Sequence, residues 1–336
     1  DRKCLYVNMN NFYFQSRGIA DLAGDFVRHG GRTLLIDQVF KQSDWSKELR
    51  KCYDLYPELR IVFTGSSVMR LKEENPELNG IVKSYNLRGF SFREFINLQT
   101  GNSFQPYTLD EILRNHEHII KQILPKVSPM KYFQDYLHHG FYPFFLENRN
   151  FTENLLKTMN MMTEVDILLI KQIELKYLTK IKRLFYQLAV EGAKAPNVSQ
   201  LAEEINTSRA TVMNYIKYLA DARLINMIYP TGQEFPKKPS KVMMHNSNLM
   251  YAIYPIKIDK QEVMETFFVN SVWKDHKVSQ TGKDHYFIVD GEKKFRICDA
   301  QSPNKVRNNP DIIYARYNTE VGKDNRIPLW LLGFLY

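Results

Sequence analysis

The sequence predicts an α/β protein with a parallel-sheet core, followed by a helical region, a winged helix-turn-helix and a small α+β domain. Three observations predict it. Short apolar runs alternate with amphipathic stretches over residues 4–67. From about residue 108 the apolar spacing becomes helical. Residues 179–238 then place two short helices around a turn, ahead of a strand and a wing-like Pro-Thr-Gly turn.

The elements follow in order. Cys4–Val7 is a short apolar run closed by Asn8, Asn10 and Asn11, which are turn residues. Ile19, Leu22, Ala23 and Phe26 carry a helical spacing that Gly30-Gly31 ends. Thr33–Ile36 is continuously apolar and stops at Asp37, as expected of a strand buried on both faces. Leu49, Cys52, Tyr53 and Tyr56 stripe a second helix from Trp45. Arg60–Phe63 is a third strand, closed by Thr64-Gly65-Ser66-Ser67. Strand and helix in alternation imply a parallel sheet with right-handed crossovers.

Farther along, Leu109–Leu124, Lys131–His139, Phe151–Met162 and Val165–Ile173 read as helices. The last hundred or so residues mix a helix, Lys260–Trp273, with short strands at His285–Val289, Lys294–Ile297, Ile312–Tyr314 and Trp330–Phe334. The expected domains are 1–107, 108–178, 179–238 and 239–336.

Composition narrows the class. At 44% hydrophobic and 25% charged residues, the chain is globular rather than disordered. A formal net charge of +9 suits phosphate-bearing partners without requiring them. Cys4, Cys52 and Cys298 are far apart and without a CxxC, which argues against a disulfide framework or zinc site and for a reducing, cytoplasmic setting. No run approaches the ~18 apolar residues of a membrane span. The chain opens at Asp1 with a strand almost at once, so further sequence is expected upstream.

Leu34-Leu35-Ile36-Asp37-Gln38 has the form of a Walker B element. A carboxylate at the carboxyl end of a parallel strand stands where open α/β sheets bind ligands, and there it can hold the water shell of Mg²⁺ beside nucleotide phosphates. The following position ordinarily carries Glu, which orients or activates the attacking water. Gln38 can hydrogen-bond water but cannot take its proton. The alternative reading of Asp37 is a turn residue after a core strand. Thr64, Ser66 and Ser67 end the next strand, where a γ-phosphate sensor would sit, or they form a polar turn around Gly65.

The run from Gly30-Gly31 through LLIDQV, Trp45, PELRIVFTGSS and LRGFSFREF (Leu87–Phe95) resembles a family of prokaryotic AAA+-like ATPases. The resemblance continues through YLHHGFYPFF (Tyr136–Phe145) and the final RIPLWLLGFLY. It implies a P-loop ATPase core, a helical lid, a winged helix and a C-terminal domain similar to PD-(D/E)xK nucleases. ATP and Mg²⁺ are the implied ligands, with Asp37, Thr64, Ser66 and Ser67 at the nucleotide and Gln38 at the degenerate catalytic position. The family's Gly-rich phosphate loop would lie upstream of Asp1, since this chain contains no GxxxxGKS or GxxxxGKT. Where the family carries a Ser-Arg-Arg-like stretch, this sequence has Asn79-Gly80-Ile81. Arg88 or Arg93 could replace that arginine, or each could form an ion pair. These departures imply a nucleotide-dependent switch with weak or no hydrolysis.

Val198–Ile205, with Ser199 as N-cap, and a second helix capped by Ser208 give the winged helix-turn-helix layout. The second helix would expose Arg209, Thr211, Asn214 and Lys217, residues able to meet phosphates and bases, with Lys237 and Lys238 in the hairpin. DNA is therefore one candidate partner, a protein or a further copy of the chain another, and the ATPase fold would then be a scaffold. In the C-terminal region Glu265 resembles the first acid of the nuclease site. Tyr286 and Arg296 occupy the other acidic positions, so a structural or partner-binding role is expected. Asp284 lies nearby, and Asp290-Gly291 reads as a hairpin turn. His116, His118, His138 and His139 read as solvated helix faces rather than a metal site.

Overall fold

Residues 3–66, 75–147, 150–280, 286–301 and 309–336 are described in the computed structural model of the chain. By packing, the chain falls into two units: residues 1–87 with 166–173, and residues 88–165 with 174–336.

The first unit is built from β1 (Cys4–Asn8), α1 (Ile19–Arg28), β2 (Thr33–Asp37), α2 (Trp45–Leu55) and β3 (Arg60–Phe63). The strands form a parallel sheet in the order β1-β2-β3. Ile19, Ala23, Leu49 and Cys52 from the two helices close with Leu34 and Ile36 into one core. Burial of β2 is therefore one-sided, contrary to the expectation of a strand covered on both faces. Tyr6, Leu35 and Val62 lie in register on the other face, where Tyr6 and Val62 are 61% and 52% exposed. An apolar run shows that a strand can be buried; which neighbours cover it is decided elsewhere in the chain.

The second unit opens with helix Phe92–Thr100, whose start is a capping box. Ser91 Oγ accepts the Glu94 N–H and the Glu94 carboxylate accepts the Ser91 N–H. Thr108 and Glu111 repeat the device at helix Leu109–Ile123. Helix Met130–Asp135 runs into a π-helical turn, Tyr136–Gly140. Phe92, Phe95, Phe133, Tyr136 and Phe267 pack edge-on in one aromatic core. Gly140 has no room for a side chain there, because a Cβ would stand 2.9 Å from Phe95 and closer still to Tyr136.

Helix Leu178–Glu191 precedes the pair Val198–Glu204 and Arg209–Asp221, with Asn206 turning between them at φ 49°. Ser208 caps the second helix as expected, accepting the Thr211 N–H at 3.1 Å. The first is capped by Asn197, which accepts the Gln200 N–H at 3.3 Å, while Ser199 lies inside it. Strands Ile225–Ile228 and Lys241–Met244 then pair antiparallel.

The remaining chain places helix Lys260–Val272 with a five-stranded mixed sheet. Its strands are Val278–Ser279, Phe287–Val289, Lys293–Asp299, Ile312–Tyr317 and Arg326–Pro328, neighbours in that order. Asp290 and Gly291 turn the hairpin with left-handed φ of 53° and 81°, in a turn closed by the Glu292 N–H on the Val289 carbonyl at 3.2 Å. Trp330–Phe334, expected as a strand, belongs to a fully buried 3-10 helix, Leu329–Phe334. Its uniformly apolar sequence has no periodicity that could separate the two possibilities.

Candidate functional site

The register of the parallel sheet builds the site. Asn8 pairs with Asp37, and Ile36 with Phe63, which brings Thr64 beside Asp37. Period-two alternation puts Tyr6, Asn8 and Asp37 on the face away from α1 and α2. Thr64 donates its hydroxyl to Asp37 Oδ1. Tyr6 OH at 2.9 Å and Asn8 Nδ2 at 2.8 Å both donate to Oδ2. Asn8 is itself oriented, since its Oδ1 accepts the Asn10 N–H at 2.9 Å. The Thr64 hydrogen bond, aided by Tyr6, Asn8 and the Gln38 amide, holds the Asp37 carboxyl below its ordinary pKa against the opposing effect of partial burial. Asp37 is thus a fixed anion at neutral pH.

Gln38 sits in the left-handed region, at φ 61° and ψ 50°. Its N–H donates to Thr64 Oγ1 at 3.0 Å, and its side-chain oxygen accepts from Asn10 Nδ2 at 3.4 Å. The Thr64 hydroxyl therefore gives its proton to Asp37 and receives the Gln38 amide. Ser66 donates its proton at 2.7 Å to Asp166 Oδ2, a carboxylate 100 residues farther on. Burial pushes the Asp166 pKa up, partly offset by Ser66 and by the Lys41 ammonium. The structure thus unites Asp37, Gln38 and Thr64 in one network, with Ser66 two residues on. Ser67 lies outside the described residues.

Tyr6, Asn8 and Asp166 are the site residues that sequence reasoning missed. The first two were legible in principle, since strand alternation and a parallel register put them beside Asp37. Asp166 lies in the helical run Thr163-Glu164-Val165-Asp166-Ile167, which carries no local sign of a partner.

The donor set suits Mg²⁺ held through water. Of the side-chain donors, Tyr6 and Asn8 take Oδ2 and Thr64 takes Oδ1, leaving Oδ1 the freer oxygen. One carboxylate contact is a usual protein share for Mg²⁺ beside phosphates, because the ion keeps several of its waters. Among the described residues no group of three or more His, Cys, Asp or Glu gathers as an all-protein cage.

The residues expected to meet nucleic acid are placed unevenly. Asn214 is exposed on helix Arg209–Asp221. Arg209 donates to Ser199 Oγ, and Thr211 shares the N-cap with Ser208 at 2.9 Å. Lys217 is ion-paired with Asp221 on its own helix. Arg209, Asn214 and Lys238 border an open cleft of about 360 Å³, floored by Val198, Met213 and Phe235.

Of the two candidate replacement arginines, Arg93 forms an ion pair, with Glu94, and Arg88 forms none among the described residues. Arg88 donates to the Asn270 and Trp273 carbonyls at 3.3 and 3.1 Å, and Arg93 to those of Tyr336 and Phe104 at 2.9 Å each. Both serve as internal braces of the second unit, although Glu94 lies 3.5 Å from Arg93. Glu265 is paired with Lys241 at 2.7 Å. Tyr286 lies under the Lys294 ammonium, and Asp284 is outside the described residues. His116 corrects the solvated-histidine expectation: it is 4% exposed, with neither ring nitrogen hydrogen-bonded among the described residues. His138 packs on Tyr251 and His139 on Phe95.

No helix among the described residues is long and apolar enough to cross a membrane. No solved structure matches the chain. Residues 130–260 match a domain of unknown function (DUF8612). Two relatives from Methanocaldococcus jannaschii, the uncharacterized proteins MJ1637 and MJ1544, are 27% and 23% identical over 205 and 209 residues. Each alignment covers 59% of this chain and 43% of the relative, so the chain spans less than half the length of those proteins. Residues 1–96, which contain the Asp37 network, match the AAA domain family, so the N-terminal part of the chain is similar to P-loop ATPase modules.

Proposed function

We propose that the chain is part of an ATP-binding, AAA-type protein that hydrolyses ATP slowly and uses nucleotide occupancy as a switch. The reading is carried by Asp37, an anion held by Tyr6, Asn8 and Thr64 at the carboxyl end of a parallel strand, where open α/β sheets bind ligands. Asp37 would hold Mg²⁺ through its water shell, and the metal would neutralise charge on the phosphates. Gln38 has no basicity, which accounts for slow chemistry. On this reading residues 108–178 act as lid, 179–238 as winged helix and 239–336 as a nuclease-like domain without its metal ligands. The test is calorimetric titration of Mg-ATP into the natural full-length polypeptide and its Asp37→Ala variant. Micromolar binding that the substitution abolishes is expected; absence of binding in the natural polypeptide removes the reading.

A second reading is favoured by the cleft beside helix Arg209–Asp221. Cations at its rim and an apolar floor suit a phosphodiester and its sugar, so this helix would meet duplex DNA. Fluorescence anisotropy with a labelled duplex should show salt-dependent binding, weakened about tenfold or more in Arg209→Ala/Lys238→Ala. Lys217→Ala should change it little, because that ammonium is already paired. Unchanged affinity in the double variant removes DNA from this helix.

A further inference from the structure

Two carboxylates stand near the strand ends of the first unit, and their surroundings differ. Asp37 accepts from Tyr6, Asn8 and Thr64. Asp166 comes from the segment 166–173, which belongs to the same unit as residues 1–87. It accepts the Ser66 hydroxyl at 2.7 Å and feels the Lys41 ammonium. Ser66 follows β3 and Lys41 follows β2, so Asp166 is bonded to the first of these loops and within reach of the charge on the second, at the carboxyl end of the sheet. That is the end that carries Asp37.

The Ser66 hydroxyl has a direction. Ser66 has one proton and gives it to Asp166, so toward any other group its oxygen acts as an acceptor. A water molecule donating to Ser66 Oγ would be joined through it to a carboxylate. No such relay starts at Gln38, whose amide cannot take a proton. We propose that Asp166, reached through the Ser66 hydroxyl, accepts the proton of the water that attacks the terminal phosphate of the nucleotide. The water oxygen bonds to the terminal phosphorus, and the bond from that phosphorus to the bridging oxygen breaks. The nucleoside diphosphate leaves with the bond's electron pair. The water proton passes to Ser66 Oγ as the Ser66 proton passes to Asp166 Oδ2. Burial raises the basicity of Asp166 above that of an ordinary carboxylate, while Asp37 is pushed the other way. Such divergence separates a proton acceptor from a fixed anion.

This inference rests on the nucleotide reading, and one set of measurements separates the two. Mg-ATP binding and the pH dependence of phosphate release are compared for the natural full-length polypeptide, Asp166→Asn and Ser66→Ala. Asn can still accept the Ser66 hydrogen bond but takes no proton. The expected result is unchanged nucleotide affinity, kcat lower by about 100-fold and loss of the acid limb of the pH–rate profile in Asp166→Asn. Wild-type turnover in Asp166→Asn overturns the proposal and leaves the nucleotide reading standing. So does a natural polypeptide that binds Mg-ATP but releases no phosphate in a single turnover. Absence of binding in the natural polypeptide overturns both. Should Asp166→Asn fail to fold, Ser66→Ala decides: it removes the relay and keeps the carboxylate, so a wild-type kcat in that variant overturns the proposal.

Discussion

Thr64 gives its hydroxyl proton to Asp37 and receives the Gln38 amide, so one side chain on the loop after β3 fixes both the anion and the backbone turn that ends β2. The strained conformation of Gln38 is held by this hydrogen bond and by the backbone bond from Val39 N–H to the Thr64 carbonyl at 3.0 Å.

Replacing Thr64 by Val should release the carboxyl. The Asp37 pKa is expected to rise toward its ordinary value, and the protein should lose up to about 1 kcal/mol at neutral pH, since solvent screens this exposed hydrogen bond. A carboxyl with a lowered folded pKa contributes stability above its unfolded value, which is lost as pH falls through the folded one. Thr64→Val should therefore flatten the acid end of the stability curve, and Thr64→Ser should restore it. Carbon-13 titration of Asp37 with denaturant melts at several pH values checks both statements.

Gln38→Glu is expected to raise ATP turnover of the full-length polypeptide by about tenfold or more, by placing a base beside the metal-facing carboxylate. Steady-state phosphate release is the readout. An unchanged rate counts against the assignment of Asp37-Gln38 as the hydrolytic pair.

Gly89 lies against the Phe141 carbonyl so closely that a Cβ would overlap backbone. Neither partner can rotate away. Gly89→Ala should cost about 2 kcal/mol or more, seen as a lower melting temperature. Gly30→Ala offers a contrast: nothing lies within 4 Å of its added Cβ, and only the positive φ of 80° is penalised, by about 1 kcal/mol.

His245 should make the second unit acid-sensitive. Burial, then the guanidinium charges of Arg223 and Arg88, lower its pKa to about 3. The folded state keeps the ring neutral while the unfolded chain binds a proton below 6.5, so stability falls as pH drops from 6.5 toward 3. The slope from this group is about 1.4 kcal/mol per pH unit within that window. Denaturant melts of His245→Gln should show a smaller loss over the same range; an identical pH dependence would refute the role of His245.

The sequence by itself determined the elements whose signals are local. The three strands of the first sheet, the helices between them, the Ser208 cap and the Asp290-Gly291 turn follow from apolar spacing and turn chemistry within a few residues. Asp37 and Gln38 were legible for the same reason, as the end of an apolar strand. The neighbours that give Asp37 its chemistry were decided by register, because only pairing of β1 with β2 brings Tyr6 and Asn8 to one carboxylate. Asp166 lay beyond any local pattern, since closing 100 residues of chain onto Ser66 is an outcome of packing. The one-sided burial of β2 and the 3-10 helix at Leu329–Phe334 belong to the same class. A run of apolar residues states that it will be buried, and the tertiary structure decides against what.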